Sequence, residues 1–158
     1  MWEPTSWMGS KGEGMSSDKE NRVPSDLTGR ILIVDDDPHF LRVLNRILTG
    51  ENFQVCSANG VAEALDFLRA AQFDLVISDL RMPESDGLNL LEKIRVSGLD
   101  LPVIILTAYG EVDTYLEAMN AGAVEYLNKP INTEELVKTV RACLHSHHCQ
   151  QANQRKTA

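Results

Sequence analysis

Residues 31–38 read ILIVDDDP, four apolar residues followed by three acidic residues and a proline. A short run of Ile, Leu and Val without polar alternation is typical of a parallel strand that is covered on both faces. A helical pattern begins directly afterwards, with Asp37 as the expected N-cap and Pro38 in the first turn. The stretch therefore predicts a buried strand that carries acidic side chains to the start of a helix.

Similar apolar runs recur along the chain and alternate with segments of helical period. The predicted strands are 31–34, 53–56, 73–77, 102–106 and 124–127. The second and fifth runs are more mixed than the others, as strands near a sheet edge would be. The alternation predicts an α/β fold of the (βα)5 type, a doubly wound parallel sheet of five strands with helices on both faces.

The ends of two helices are legible in the sequence. The first helix should end at Gly50, and Asn132 with Glu135 forms a capping-box pattern at the start of the last helix. The first helix presents one apolar face, and the last presents another. Their predicted inner residues are Phe40, Leu41, Leu44, Ile47 and Leu48, and Leu136, Val137, Val140 and Leu144.

The composition of the 158 residues excludes several classes of protein. A net charge of −8, from 23 acidic and 15 basic residues, disfavours nucleic acid as a partner. Cys56, Cys143 and Cys149 lack the spacing of a disulfide framework or a zinc ribbon, which fits a reducing compartment. No apolar stretch suits a signal peptide or a membrane span. We therefore expect a cytoplasmic protein with no membrane partner.

The sequence divides into three parts. Residues 1–28 are rich in Gly, Ser, Pro and charge and predict a flexible arm, residues 29–148 the folded domain, and residues 149–158 a polar tail. Trp2 and Trp7 are the only large anchors in the arm. His145, His148 and Cys149 would share one face of a continued helix, but we interpret this segment as a cationic helix end that frays rather than as a metal site.

Polar residues stand at the end of four predicted strands. Asp35 and Asp36 follow the first, Asp79 the third, Thr107 the fourth, and Lys129 the fifth. Ligands bind beyond the carboxyl ends of the strands in open parallel sheets. If the strand order is 2-1-3-4-5, Asp35, Asp36 and Asp79 converge at that edge. An acidic cluster could instead only cap helices, and we assign that role to Asp37 alone.

Three adjacent carboxylates require raised pKa values or a cation, and oxygen ligands suit Mg²⁺. A carboxylate can also be the nucleophile toward a phosphoryl group, provided that a metal offsets the repulsion between the two anions. Asp79 stands alone at its strand end and is the candidate nucleophile, with Asp35 and Asp36 as metal ligands. Lys129 and Thr107 could contact the phosphoryl oxygens.

At these positions the sequence resembles the receiver domains of response regulators in two-component phosphorelays, over about residues 30–144. The matching stretches are ILIVDDDP at 31–38, LVISDLRMPESDGLNLL at 75–91, PVIILTAYG at 102–110 and GAVEYLNKPI at 122–131. The resemblance implies a flavodoxin-like fold and a phosphoacceptor at Asp79. It also implies a Mg²⁺ site of Asp35, Asp36, Asp79 and the Arg81 backbone carbonyl, with Thr107 and Lys129 on the phosphoryl group.

The resemblance has further implications for conformation and switching. It implies a cis Lys129–Pro130 bond, a turn at Gly87 that opens the third helix, and a switch that couples Thr107 to Tyr126. Tyr126 could instead be only a core aromatic with its hydroxyl at the rim. We also hypothesise that the bulky Arg81 and Tyr109 hinder the attacking water and slow autodephosphorylation.

The implied partners are a histidine kinase or histidine phosphotransferase and a downstream protein. The downstream protein would dock on helix four, strand five and helix five, about residues 112–119 and 126–137, and homodimerisation is left open. On this reading the chain is no enzyme, because it catalyses only its own phosphoryl uptake and autodephosphorylation.

Two alternative functions are weighed. A metal-dependent phosphohydrolase with an aspartyl-phosphate intermediate, of the haloacid-dehalogenase type, should begin with D-x-D-x-T; Asp35 and Asp37 fit, but His39 stands at the last position. The second alternative is the receiver part of a larger regulator. Only HSHHCQQANQRKTA follows Leu144, too little for a helix-turn-helix or ATPase segment, and we therefore expect a stand-alone receiver.

Overall fold

The computed structural model describes residues 29–82, 86–108 and 112–157, and the predicted arm at 1–28 lies outside them. Strands and helices alternate strictly along the described part, as the sequence predicts. Their bounds are β1 Arg30–Val34, α1 Pro38–Gly50, β2 Gln54–Ala58, α2 Val61–Ala70, β3 Leu75–Ser78, α3 Gly87–Val96, β4 Val103–Thr107, α4 Val112–Asn120, β5 Glu125–Asn128 and α5 Thr133–Thr157.

The strands form one parallel sheet in the order β2-β1-β3-β4-β5, which confirms the predicted topology. The two mixed runs of sequence form the edge strands β2 and β5. Strand β3 begins at Leu75 rather than at Phe73, because its ladder with β1 starts where Leu75 lies opposite Ile31. Phe73 instead packs edge-on against Phe67 of α2, with ring centroids 6.4 Å apart.

The core consists of two apolar layers, one on each face of the sheet. Ile31 and Ile33 point to the layer under α1 and α5, whereas Leu32 and Val34 point to the layer under α2, α3 and α4. All four side chains are 2% exposed or less. Burial on both faces explains why the run is continuously apolar, and it leaves the strand ends as the place for polar groups.

The N-termini of α1, α3 and α5 are closed by side chains, in two cases as the sequence predicts. The Asp37 carboxylate accepts a hydrogen bond from the backbone N–H of His39 at 3.0 Å, and the Asn132 side chain accepts one from Glu135 at 3.0 Å. Asp86 caps α3 in the same way through Asn89 at 2.9 Å. These caps set where the loops at the carboxyl edge of the sheet end.

Helix α5 is longer than predicted. It continues to Thr157, so no break in secondary structure marks the predicted boundary between residues 148 and 149. The segment after Leu144 contains no Gly or Pro and several good helix formers, which explains the continuation. His147 Nε2 lies 3.4 Å from Asp100 Oδ2, in the loop before β4. The structure does not describe the side chains of His148 and Cys149.

Among the described residues, no helix combines the length and apolar character that crossing a bilayer requires. The cytoplasmic location expected from the cysteine content stays a prediction.

Candidate functional site

Three carboxylates meet at the carboxyl edge of the sheet. Asp35 follows β1 and Asp79 follows β3, and these neighbouring strands are in register with Val34 opposite Ser78. One oxygen from each of Asp35, Asp36 and Asp79 lies within 4.8 Å of the others. Asp35 and Asp79 are only 3% and 8% exposed, whereas Asp36 faces solvent. Strand order alone therefore brings the predicted metal ligands together.

The Lys129 ammonium group enters this acidic pocket from the loop between β5 and α5. Its Nζ atom lies 2.8 Å from Asp35 Oδ2 and 3.5 Å from Asp79 Oδ2. It also lies 4.1 Å from the centroid of the Phe40 ring. Sequence reasoning found Lys129 but assigned Phe40 only to the core face of α1, because a helical pattern does not show which neighbour an aromatic side chain meets.

The backbone of Asp79 is held from three sides. Its N–H donates to the Val34 carbonyl at 2.9 Å, and its own carbonyl accepts from the Ser78 hydroxyl at 2.9 Å. A β-carbon on Gly87 would lie 2.3 Å from the same carbonyl oxygen, so only glycine permits this approach of α3. Sequence reasoning placed Gly87 in a turn but missed its contact with Asp79, and it assigned no role to Ser78.

The side chain of Asp79 is less well satisfied than its backbone. Asp79 Oδ1 is buried and accepts no hydrogen bond from the described residues. A buried carboxylate oxygen without a partner is costly, and in native proteins such an atom often has a catalytic role or contacts a water or an ion. Asp79 Oδ1 is therefore available to bind a cation or to react with an incoming group.

The pKa of Asp35 is raised above its ordinary value. Burial is the main cause, and the neighbouring Asp79 charge adds to it; the hydrogen bond from Lys129, the backbone N–H of Asp37 at 2.9 Å and the Lys129 charge act in the opposite direction. Since the net shift is upward, one lysine does not compensate for removing this carboxylate from water.

Thr107 and Lys129 are joined through the backbone. Thr107 is fully buried at the end of β4, and its carbonyl accepts a hydrogen bond from the Lys129 N–H at 2.8 Å. The Lys129–Pro130 bond is cis, as the resemblance implies. Arg81 follows strand β3 and is exposed, and Tyr109 lies outside the described residues. The roles assigned to Arg81, Thr107 and Tyr109 stay predictions.

Tyr126 lies half-buried on β5, opposite Ile105 and two residues before the pair of Thr107 with Asn128. Its hydroxyl oxygen is 2.9 Å from Thr114 Oγ1 on α4, and its ring meets Tyr115 edge-on at 5.4 Å. Thr114 is 8% exposed, and sequence reasoning missed it. The spacing of Thr114 and the buried Ala118 on one helix face was the available signal.

The sequence profile of the response regulator receiver domain matches residues 31–141. The chain belongs to this receiver domain family. The family match decides against the phosphohydrolase alternative, and it confirms the resemblance on which the site was predicted.

Known relatives show how far this similarity reaches. The chain is 41% identical over 114 residues to the transcriptional regulatory protein ZraR of Klebsiella oxytoca, covering 72% of the chain and 26% of ZraR. It is 42% identical over 127 residues to the two-component response regulator ORR24 of Oryza sativa subsp. indica, covering 79% of the chain and 20% of ORR24. The match thus spans about a quarter or less of these relatives, and the stand-alone receiver stays a prediction.

A solved structure matches over nearly its whole length. The CheY-like receiver domain from Methanospirillum hungatei JF-1 superposes with a TM-score of 0.74 at 31% identity, covering 77% of this chain and 97% of that one. The similarity therefore defines a complete receiver domain.

Replacing Gly87 by alanine should destabilise the receiver domain. The new methyl group would displace either the Asp79 carbonyl or the start of α3, and overpacking of this kind costs about 1–3 kcal/mol in the free energy of unfolding. Chemical denaturation measures this cost. Gly50→Ala is the matched control, since a β-carbon there meets nothing within 4 Å. Equal stability of the two variants would contradict the packing described for Gly87.

Replacing Asp35 by asparagine should stabilise the metal-free receiver domain at neutral pH. Burial raises the folded pKa of Asp35 above the ordinary 3.8, so the unfolded chain loses this proton at lower pH than the folded protein does. The wild type therefore loses stability as pH rises from the unfolded-state pKa of Asp35 to its folded-state pKa, and Asp35→Asn does not. The difference in unfolding free energy between Asp35→Asn and the wild type should be small at acidic pH and should grow as pH rises.

Denaturation curves recorded over a pH series with a chelator present measure that difference. Asp36→Asn, at the exposed carboxylate of the same cluster, is the control and should change stability by no more than about 0.5 kcal/mol. A wild type that is more stable than Asp35→Asn at neutral pH would show that the Lys129 pair outweighs the cost of burial.

Proposed function

We propose that this receiver domain accepts a phosphoryl group on Asp79 from a histidine kinase or a histidine phosphotransferase. The observation that carries the proposal is the state of Asp79. Its Oδ1 atom is buried and accepts no hydrogen bond within the described part of the chain, and its Oδ2 atom lies 3.5 Å from Lys129 Nζ. A carboxylate with one unused oxygen beside a cation is suited to act as a nucleophile toward phosphorus.

The acidic cluster fits Mg²⁺ as the resident ion. Three carboxylates offer oxygens within 4.8 Å of one another, and a hard cation prefers such oxygen donors. Asp35, Asp36 and Asp79 would hold the ion, together with the Arg81 backbone carbonyl. When bound, the ion offsets the repulsion between the Asp79 carboxylate and the incoming phosphoryl oxygens.

In the proposed step, an Asp79 carboxylate oxygen forms a bond to phosphorus while the bond from phosphorus to the donor imidazole nitrogen breaks. The electron pair of the broken bond stays with the imidazole. Lys129 Nζ and the Thr107 hydroxyl donate hydrogen bonds to the transferred phosphoryl oxygens. The domain acts on no other substrate, since it catalyses only this uptake and the later hydrolysis of the acyl phosphate.

The proposed readout is a change on the face formed by α4, β5 and the start of α5. Tyr115 and Leu116 are 44% and 50% exposed there, and they stand among the exposed acidic residues Asp113, Glu117 and Glu125. This combination suits a downstream protein with an apolar surface bordered by basic residues. Tyr126, at the rim of this face, is the proposed switch residue.

Incubation with Mg²⁺ and acetyl phosphate should add one phosphoryl group to the wild type and none to Asp79→Asn. Intact-mass spectrometry detects the adduct. Asp74→Asn is the control variant, because Asp74 lies at the opposite end of β3 and bonds to the backbone of Arg30. An adduct on Asp79→Asn, or no adduct on a folded wild type, would contradict Asp79 as the acceptor.

Replacing Thr114 by valine should shift the Tyr126 ring, in the unphosphorylated protein, toward the position that it takes when Asp79 is phosphorylated. The substitution removes the hydroxyl partner at 2.9 Å that holds Tyr126 to α4. Aromatic NMR signals of labelled tyrosine in the wild type, before and after acetyl phosphate, define the two positions. Thr49→Val, on the exposed end of α1, is the control. A Tyr126 signal unchanged in Thr114→Val would exclude Thr114 as the residue that sets the resting position.

A further inference from the structure

The proposed cation would compete with Lys129 for the Asp35 carboxylate. Its shortest contact is with Asp35 Oδ2 at 2.8 Å, yet Asp35 is one of the carboxylates that would hold the divalent cation. A carboxylate that coordinates a dication attracts an ammonium group less strongly, and the dication repels the same ammonium group. Once the cation is bound, Lys129 therefore needs another contact to remain beside Asp79.

The Phe40 ring supplies a contact that does not compete with the cation. Lys129 Nζ lies 4.1 Å from the ring centroid, within the range of a cation–π interaction. The negative face of the ring attracts the ammonium group, and a hard dication prefers the carboxylate oxygens to an aromatic ring. The ring is half-buried and packs against the core layer under α1 and α5, which fixes its place.

The position of Phe40 follows from the local fold. Asp37 caps α1 immediately after the acidic pair, and Phe40 lies in the first turn of that helix. Because Asp37 starts α1 directly after Asp35 and Asp36, the Phe40 ring lies beside the pocket. A leucine would keep this position apolar, but it would offer no negative ring face to Lys129.

We propose that Phe40 is a positioning residue for phosphoryl transfer: its ring holds the Lys129 ammonium group beside Asp79 while Asp35 serves the cation. This inference rests on the proposed function. It concerns the rate of transfer, because Lys129 must already be in place when charge develops on the phosphoryl oxygens.

The test compares phosphoryl uptake from acetyl phosphate, at saturating Mg²⁺, in the wild type and in Phe40→Leu and Phe40→Tyr. The observed rate constant should fall about threefold to tenfold in Phe40→Leu, from the loss of one cation–π contact, and return toward the wild-type value in Phe40→Tyr. Saturating Mg²⁺ removes any effect on metal affinity, and thermal unfolding of each variant confirms that it is folded.

A second series separates the electronic role of the ring from packing. Mono-, di- and trifluorophenylalanine at position 40 weaken the negative ring face while largely preserving its shape, so the logarithm of the rate constant should fall with each fluorine. The same series at Phe53 is the control. That ring lies 5.1 Å from the Arg141 guanidinium carbon, away from the pocket, and its fluorination should leave uptake unchanged.

The outcomes separate the two proposals. A wild type that is phosphorylated, with unchanged rates in Phe40→Leu and in the fluorinated series, overturns the role of Phe40 and leaves the proposed function standing. A slower Phe40→Leu whose rate does not respond to fluorination also overturns it, because packing alone then explains the loss. A wild type that takes up no phosphoryl group overturns the proposed function and this inference with it.

Discussion

The burial of two neighbouring carboxylates at one edge of the sheet is the constraint on which the rest of the site depends. Asp35 and Asp79 are nearly excluded from water, and Lys129 is 2.8 Å from one and 3.5 Å from the other. The upward shift in the pKa of Asp35 means that this lysine does not offset the cost of burial. The unliganded pocket is therefore less favourable when Asp35 is ionised, and a bound cation would reduce this cost.

The sheet makes this concentration of charge tolerable because apolar packing on both faces fixes the strands. Alternate residues of β1 enter separate core layers, so a slip by one residue would exchange the two sets of side chains. With the register secured, Asp35 and Asp79 emerge beside each other with no freedom to separate. Stability gained in the core thus offsets the electrostatic cost at the strand ends.

The sequence allowed most of the fold and the charged part of the site to be predicted. Continuous apolar runs located the five strands, and the polar residues after them located Asp35, Asp36, Asp79, Thr107 and Lys129. The position of these residues could be predicted because the carboxyl ends of parallel strands meet at one edge.

The contacts made between elements could not be predicted in this way. Phe40 beneath Lys129, Ser78 and Gly87 around the Asp79 carbonyl, and Thr114 on Tyr126 all depend on how helices sit on the sheet. Periodicity gives the buried face of a helix but not the partner of each side chain on it. The length of α5 was mispredicted for a related reason, since charged and polar residues after Leu144 indicated exposure rather than the end of a helix.

Contacts between elements also form a structural path from the pocket to the proposed docking face. The Lys129 N–H donates to the Thr107 carbonyl, which ties the ends of β4 and β5 together above Tyr126. Tyr126 in turn reaches α4 through Thr114. A local charge change can redirect a distant surface only through an element that has two arrangements. In the proposed switch the Tyr126 hydroxyl would have this role, because its bond to Thr114 could exchange for another partner.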